Sequence, residues 1–308
     1  MNPLITIVGP TATGKSDLAV TAALYIQEKF GIPVEIISAD SRQIFKHLDI
    51  GTGKITTEEM KGVPHHMLDT LEPKESFSVF AYGKKVEEIL EEIHKRGAIP
   101  ILCGGTGFYI EAVVYKNAGA DTPPNVEFQK ELENFNIDEL HTKLVQLSEE
   151  KQKDISHVDI QNKRRVIRAI DILTQDGSFA KKNTTSPYNL LQIGLHADAE
   201  ILKNRIQKRL DKRLDDGIIQ ESEKLLEQNI LTHERMHTLG LEYRFISQLL
   251  QKKITLPEFK EKLFFAIWHY AKRQRVWFKK YSDIHWIQNP DDIFPLLDEY
   301  ITATPPTS

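Results

Sequence analysis

Cysteine is almost absent: the 308-residue chain has one, Cys103. That count excludes a disulfide framework and a multi-cysteine zinc site. No apolar run approaches the ~18 residues needed to cross a bilayer. The opening Met1-Asn2-Pro3-Leu4 has no basic region and leads straight into an apolar run, so no signal peptide is expected. A cytoplasmic location is the simplest expectation. What the chain does have is ordinary globular composition, with 40% hydrophobic and 27% charged residues. Its length allows roughly two domains at about 100–200 residues each.

Neither sign of charge dominates. A net charge of −4 argues against a generic nucleic-acid coat. The average hides an asymmetry, because residues 200–285 carry 18 Lys and Arg against 12 Asp and Glu. That local balance of +6 leaves −10 for the rest of the chain. Such a segment is either a face prepared for a polyanion or a set of solvated, lysine-bearing helices, and charge alone favours neither.

Leu4 to Val8 is a short apolar run ending at Gly9 and reads as a buried strand. Residues 16–30 then place Ala19, Ala22, Ala23, Ile26 and Phe30 on one helical stripe. Val34 to Ser38, with mostly β-branched apolar side chains, is a second strand. Residues 79–95 read as a charged helix, and Ile99 to Cys103 as a third strand running into Gly104-Gly105-Thr106-Gly107. The alternation predicts a parallel sheet with helices on both faces. After residue 116 the pattern changes: Asn117 to Asn125 is a Gly, Pro, Asp and Asn-rich linker, and helical segments without a clear strand follow to about 180. Lys181 to Tyr188 is a polar connection, Leu190 to Leu195 a returning strand, and long helices occupy about 199–229 and 257–281. The tail from Thr302 to Ser308 is expected to be disordered. The organisation is an α/β core, 1–116 and 190–308, interrupted by a helical insertion at 117–189.

Gly9-Pro10-Thr11-Ala12-Thr13-Gly14-Lys15-Ser16 fits G-x-x-x-x-G-K-[ST], with a strand before it and a helix after it. In such a loop the backbone N–H groups face phosphate oxygens, and the helix start adds its positive end. Lys15 supplies a point charge, and the Ser16 hydroxyl can hold Mg²⁺. The core is therefore expected to be P-loop NTPase-like. The loop specifies a diphosphate-like group and not a reaction: an ATPase, a small-molecule kinase and a diphosphate-releasing transferase would all need it. Asp40 follows the second strand, where ligands bind in open α/β sheets. A carboxylate there can serve as general base, assist a metal, or act as a helix cap or turn residue. Beside it, Gln43 has an amide that matches the donor and acceptor pair of an adenine edge.

Further motifs follow in order. Ser38-Ala39-Asp40-Ser41-Arg42-Gln43-Ile44-Phe45 is followed by Leu48-Asp49-Ile50-Gly51-Thr52-Gly53-Lys54, and then by Val63-Pro64-His65-His66-Met67-Leu68-Asp69. Gly104 to Tyr109, Asn162 to Ala169, Arg205 to Arg209 and Ala271 to Gln274 complete the series. With this ordered set the chain resembles the tRNA dimethylallyltransferases, the tRNA isopentenyl-diphosphate transferase family. The resemblance runs from residue 9 to about 280.

The resemblance implies transfer of a dimethylallyl group from dimethylallyl diphosphate to the exocyclic N6 amine of the adenosine just 3′ of the tRNA anticodon. Mg²⁺ is the implied cofactor and the anticodon stem-loop the implied partner; apart from the resemblance, no membrane partner and a monomeric protein are expected. By position, Lys15 and Ser16 would hold diphosphate and metal, Asp40 would be the base, Thr106 would lie in the nucleotide channel, and Arg209 would grip the diphosphate from the opposite side. Ser41, Arg42 and Gln43, then Arg164, Arg165 and Arg168, and finally Arg275 would meet tRNA. Three positions depart from the family pattern: Ala199 where Arg is usual, Arg213 where Met is common, and Ile267-Trp268 in place of Thr-Arg. No D-D-x-x-D motif of the chain-elongating prenyl synthases is present. His65, His66 and Cys103 are read as structural, and Trp277 and Phe278 as core residues beside the Lys272 to Lys280 cluster.

Overall fold

The computed structural model describes residues 1–117, 122–179 and 183–303. Among them, six strands pair into one parallel sheet: β1 (Pro3–Val8), β2 (Val34–Ser38), β3 (His65–His66), β4 (Ile99–Gly104), β5 (Asn189–Leu195) and β6 (Ile284–Ile287). Their order is β3-β2-β4-β1-β5-β6. β1 lies at the centre, with Ile7 opposite Cys103 on one side and Ile193 on the other. A strand covered on both faces needs apolar side chains on both, which is why β1 and β4 read as continuous runs.

α1 (Lys15–Phe30) follows β1, and a single turn, α2 (Thr57–Met60), precedes β3. α3 (Val79–Lys95) and α4 (Gly107–Val114) flank β4. α5 (Val126–Leu132), α6 (Ile137–Glu150) and α7 (Lys163–Thr174) form the insertion. Between β5 and β6 run α8 (Ala199–Asp215), α9 (Ile218–Glu227), α10 (His233–Leu239), α11 (Leu241–Leu250) and α12 (Leu256–Lys279); α13 (Ile293–Ala303) comes last. α1 and α13 cover one face of the sheet, with Leu18, Ala22, Ile26 and Leu297 buried against Ile7 and Ile101. α3, α4 and α8 to α12 build the other face around Tyr82, Leu102, Leu210, Phe259 and Phe278. The insertion packs Leu132, Leu140, Leu144, Val166, Ile170 and Leu173 into a separate small core.

Three features differ from the sequence reading. The edge strands β3 and β6 were not expected: one has two residues, and the other buries only its ends, Ile284 and Ile287. Neither pattern shows a clear period. The helix expected at 199–229 breaks at Gly217, whose left-handed φ of 96° ends α8 and starts α9. Thr302 and Ala303 belong to α13, and the remainder of the tail, 304–308, lies outside the described residues, as do 118–121 and 180–182 of the two connections.

Candidate active site

The site forms at the carboxyl ends of β1, β2 and β4, where three loops converge on the central crevice of the sheet. The loop after β1 is shaped by its backbone. Gly9 has φ 144°, and a Cβ there would meet the Leu195 carbonyl oxygen at 2.6 Å. Ala12 and Gly14 are left-handed at φ 63° and 90°, so the amides turn inward into an anion-binding nest before α1 begins. The Thr13 hydroxyl donates to the Pro10 carbonyl at 2.9 Å, and the Lys15 ammonium donates to the same carbonyl at 2.6 Å. The loop thus holds its own lysine over the nest.

Two cavities meet at this loop. The inner one is lined by Asp40, Gln43, Tyr270 and Gln274, the outer one by Gly14, Arg205, Lys212 and Arg213. Lys15, Ser16 and Arg209 line both, so they form the neck between them. Arg209 reaches across from α8, and its Nη1 donates to the Thr11 hydroxyl at 3.3 Å. Burial pushes the Lys15 ammonium down to about 8, with Arg209 adding to the drop and Cys103 and Asp40 opposing it. Burial, then the neighbouring Arg213, lowers Arg209 to about 10. Two cations held in a desolvated neck are poorly satisfied by protein alone, and an anion with several oxygens is the ligand that suits them.

Asp40 faces the inner cavity. Its Oδ1 accepts the amides of Arg42 at 2.8 Å and Gln43 at 3.3 Å. Two of the sequence readings of Asp40, turn residue and base, are therefore compatible: Oδ1 caps the turn and fixes the carboxylate, while no hydrogen bond among the described residues engages Oδ2. Thr106 does not line the inner cavity. Its hydroxyl oxygen accepts the Ser41 amide at 3.1 Å and interacts with the Tyr270 hydroxyl, tying the β4 loop to the β2 loop. Burial raises Tyr270 to about 12, with Asp40 adding to the rise, so it is a neutral hydroxyl at the cavity wall. Gln43 donates to the Gly53 carbonyl at 3.0 Å, so its amide is already partly engaged.

Sequence reasoning did not find the brace behind these loops. Gln274, buried on α12, accepts the Thr11 amide at 2.8 Å and donates to the Gly105 carbonyl at 2.9 Å. A side chain on Gly105 would collide with that amide, which is why glycine stands there. Glu221 on α9 accepts the amides of Asp49 at 3.1 Å, Ile50 at 2.7 Å and Gly51 at 3.1 Å, and so holds the 49–51 turn. A signal for Gln274 was present: it interrupts the buried stripe Phe259, Leu263, Ile267, Ala271 and Phe278 at helical spacing. Arg213 does the same after Leu202, Ile206 and Leu210. A polar residue in a core-facing slot needs a partner, and the sequence does not say which.

The basic residues of the insertion divide. Arg164 is exposed, with no hydrogen bond among the described residues, and Arg165 pairs with Asp159 at 3.1 Å. Arg168 is engaged: it pairs with the buried Asp171 at 2.6 Å and donates to the Thr122 carbonyl. Just past the end of α12 the Lys280 ammonium lies 3.6 Å from the Trp277 ring centre and pairs with Glu111 at 2.7 Å. Arg275 is half-buried, Trp277 is half-buried rather than core, and Phe278 is buried. His65 donates to the Val63 carbonyl at 2.8 Å, while His66 bonds Glu35 at 2.6 Å. Cys103 is buried behind Lys15, its thiol pushed up to about 12 by burial.

Comparison with known proteins gives a consistent result. The family model described as IPP transferase matches residues 43–281. A tRNA dimethylallyltransferase of Staphylococcus epidermidis is 38% identical over 312 residues, covering 97% of this chain and 91% of that protein. The crystal structure of a Bacillus halodurans tRNA isopentenylpyrophosphate transferase matches with TM-score 0.70 and 34% identity, covering 98% of this chain and 99% of that one. A eukaryotic dimethylallyltransferase crystallised while acting on tRNA shares the fold, with TM-score 0.76 at 23% identity, over 100% of this chain and 81% of that one.

Proposed function

The chain belongs to the IPP transferase family, and from that premise we infer that it transfers a dimethylallyl group from dimethylallyl diphosphate to tRNA. The acceptor in this reading is the exocyclic N6 amine of the adenosine 3′ of the anticodon. The observation that carries it is the neck. Lys15 and Arg209 stand between an inner cavity whose one carboxylate is Asp40 and an outer cavity where Lys54, Arg205, Lys212 and Arg213 add further cations among four acids. The diphosphate would lie on the phosphate loop with its allylic carbon toward the inner cavity, and the nucleobase would enter on the Asp40 side.

An adenine amine is a weak nucleophile because its lone pair is delocalised into the ring. The bond between allylic carbon and diphosphate oxygen must therefore weaken early, with its electron pair leaving on the diphosphate. Lys15, Arg209 and the loop amides stabilise that charge in a desolvated site, and one such donor is worth roughly 10²–10³-fold in rate. As the new C–N bond forms, the amine proton passes to Asp40 Oδ2, worth about 10²–10⁴-fold. A base that reaches this pocket has left its loop stack.

Mg²⁺ fits the loop. The Ser16 side chain is exposed at the start of α1, and no cluster of three His, Cys, Asp or Glu occurs among the described residues to cage a metal. Ser16 would hold the ion together with diphosphate oxygens, the mode Mg²⁺ favours at phosphates. When bound it adds positive charge beside the leaving group. Gln43 at the inner cavity, Arg42 beside it on the loop after β2, Arg164 and Arg165 on α7, and Arg275 on α12 are the side chains we assign to RNA contact. Thr106 and Arg168 act in this reading by positioning their neighbours.

The test is labelled donor with anticodon stem-loop RNA, followed by mass analysis of the nucleosides. Prenylated adenosine is the expected product; consumption of ATP without prenyl transfer would replace this reading. Asp40→Asn keeps the Oδ1 cap and removes the base, so turnover should fall about 10²–10⁴-fold with RNA binding retained.

A further inference from the structure

One turn beyond Arg209, α8 carries a second arginine facing inward. Arg213 is 8% exposed. Its Nη1 donates to Glu242 Oε1 at 2.9 Å and to the Gly51 carbonyl at 3.2 Å, while its Nε–H is buried without a partner. Glu242, at the start of α11, is almost as enclosed. The two arginines are close neighbours: a Cβ on Gly53 would collide with Nη2 of both. Yet they are not equivalent. Arg213 holds the carboxylate, and among the described residues Arg209 pairs with no acid and hydrogen-bonds only Thr11.

That asymmetry matters for an anion site. A carboxylate beside two guanidiniums in a desolvated pocket neutralises whichever one it contacts. Paired with Arg209, Glu242 would compete with an incoming diphosphate for the same donors. We propose that Arg213 is a positioning residue for the transfer: it captures Glu242 so that Arg209 presents an unpaired guanidinium to the leaving diphosphate. Arg213 needs no contact with substrate for this. Its grip on the Gly51 carbonyl, within the turn that Glu221 holds from the other side, sets its guanidinium in place. The proposal rests on the role given above to Arg209.

The test is a cycle of R213M, E242Q and R213M/E242Q, measured well below each variant's melting temperature. The readouts are KM for dimethylallyl diphosphate and, independently of turnover, the dissociation constant of inorganic diphosphate. R213M frees Glu242 to reach Arg209, so both constants should rise roughly tenfold or more, the scale of one buried charge contact. The KM for RNA should stay within about twofold, a change too small to signal a lost contact. R213M/E242Q removes the competing carboxylate together with its captor and should return diphosphate affinity to within a few-fold of the parent. R213K keeps a cation for Glu242 and should recover most of the loss, which covers the case in which R213M does not fold. A double variant as weak as R213M would overturn the proposal, because Arg213 would then be a direct ligand. Unchanged diphosphate affinity in R213M would overturn it as well. R209Q separates the two readings: if it leaves diphosphate affinity intact, the role given to Arg209 fails, whatever the cycle shows.

Discussion

The α/β core and the helical insertion use charge in opposite ways. In the core, charged side chains are drawn inside and bound to the loops of the site. Glu221 holds three successive amides, Arg213 is closed onto Glu242, and Lys54, at 6% side-chain exposure, pairs with Asp49 and Asp69. Among the described residues of the insertion the buried acid is Asp171, and the other charges of α7 lie at or near the surface. Asp171 accepts from Asn125, Gln129, Arg168 and Gln175, and so fastens the incoming connection to α7. The core thus fixes a few donors for one small anion. The insertion keeps its shape through a small apolar cluster and one polar anchor, and in the reading proposed above the exposed Arg164 and Arg165 of α7 are the cations left for RNA. Preorganised donors suit bond-breaking at one point, whereas exposed cations suit a long phosphate backbone.

Lys15→Met should break the core side of this contrast most severely. Transfer should fall by about 10³-fold, the scale of a lost donor to the leaving group. The same change should raise the melting temperature. Lys15 titrates near 8 in the fold against its ordinary 10.5, so the unfolded chain holds more protons between those values. The group therefore adds stability as pH rises through that window and costs stability below it. The parent protein without ligand should gain stability from about pH 8 upward while its diphosphate affinity declines, and the Met variant should show neither trend. Thermal melts and diphosphate titrations from pH 7 to 10 read both slopes.

Asp171→Ala tests the insertion. Removing one partner from a buried ionic network costs ~3–5 kcal/mol. That is enough to loosen a small three-helix cluster. The expected result is lost RNA affinity and faster amide exchange across α5 to α7, with the dissociation constant of diphosphate unchanged. If diphosphate binding fails in parallel, the two regions are one cooperative unit and the contrast does not hold.

The smallest effect belongs to Arg164. Arg164→Ala should weaken anticodon stem-loop binding a few-fold, reducing the salt dependence of log Kd by about one phosphate contact, and it should leave the donor KM untouched. Arg168→Ala should instead behave like a milder Asp171→Ala, because its guanidinium is tied to Asp171 and the Thr122 carbonyl. RNA titrations at several salt concentrations separate a lost contact from a loosened scaffold.

Much of the machinery was legible because it is local. The phosphate loop occupies eight consecutive residues, and its conformation follows from its own glycines and from the strand and helix that flank it. Asp40 could be placed because it closely follows a strand of a parallel sheet, and the turn it caps lies within three residues of it. The insertion announced itself by a change of composition after residue 116. The edge strands β3 and β6 did not, because short segments with one pairing side carry too little pattern to distinguish them from loop.

What the sequence by itself determined is therefore the nest for an anion, the strand-end carboxylate and the family that combines them. Only the tertiary structure decided which polar residues brace the loops and which arginine stays free. Gln274 meets Thr11 across 263 positions, and Arg213 meets Glu242 across 29, with α9 and α10 between them. A side chain on a buried stripe must be satisfied, but its partner comes from whichever distant element packs over it. That choice is made by the packing of α8, α11 and α12 onto the sheet, and no local rule encodes it.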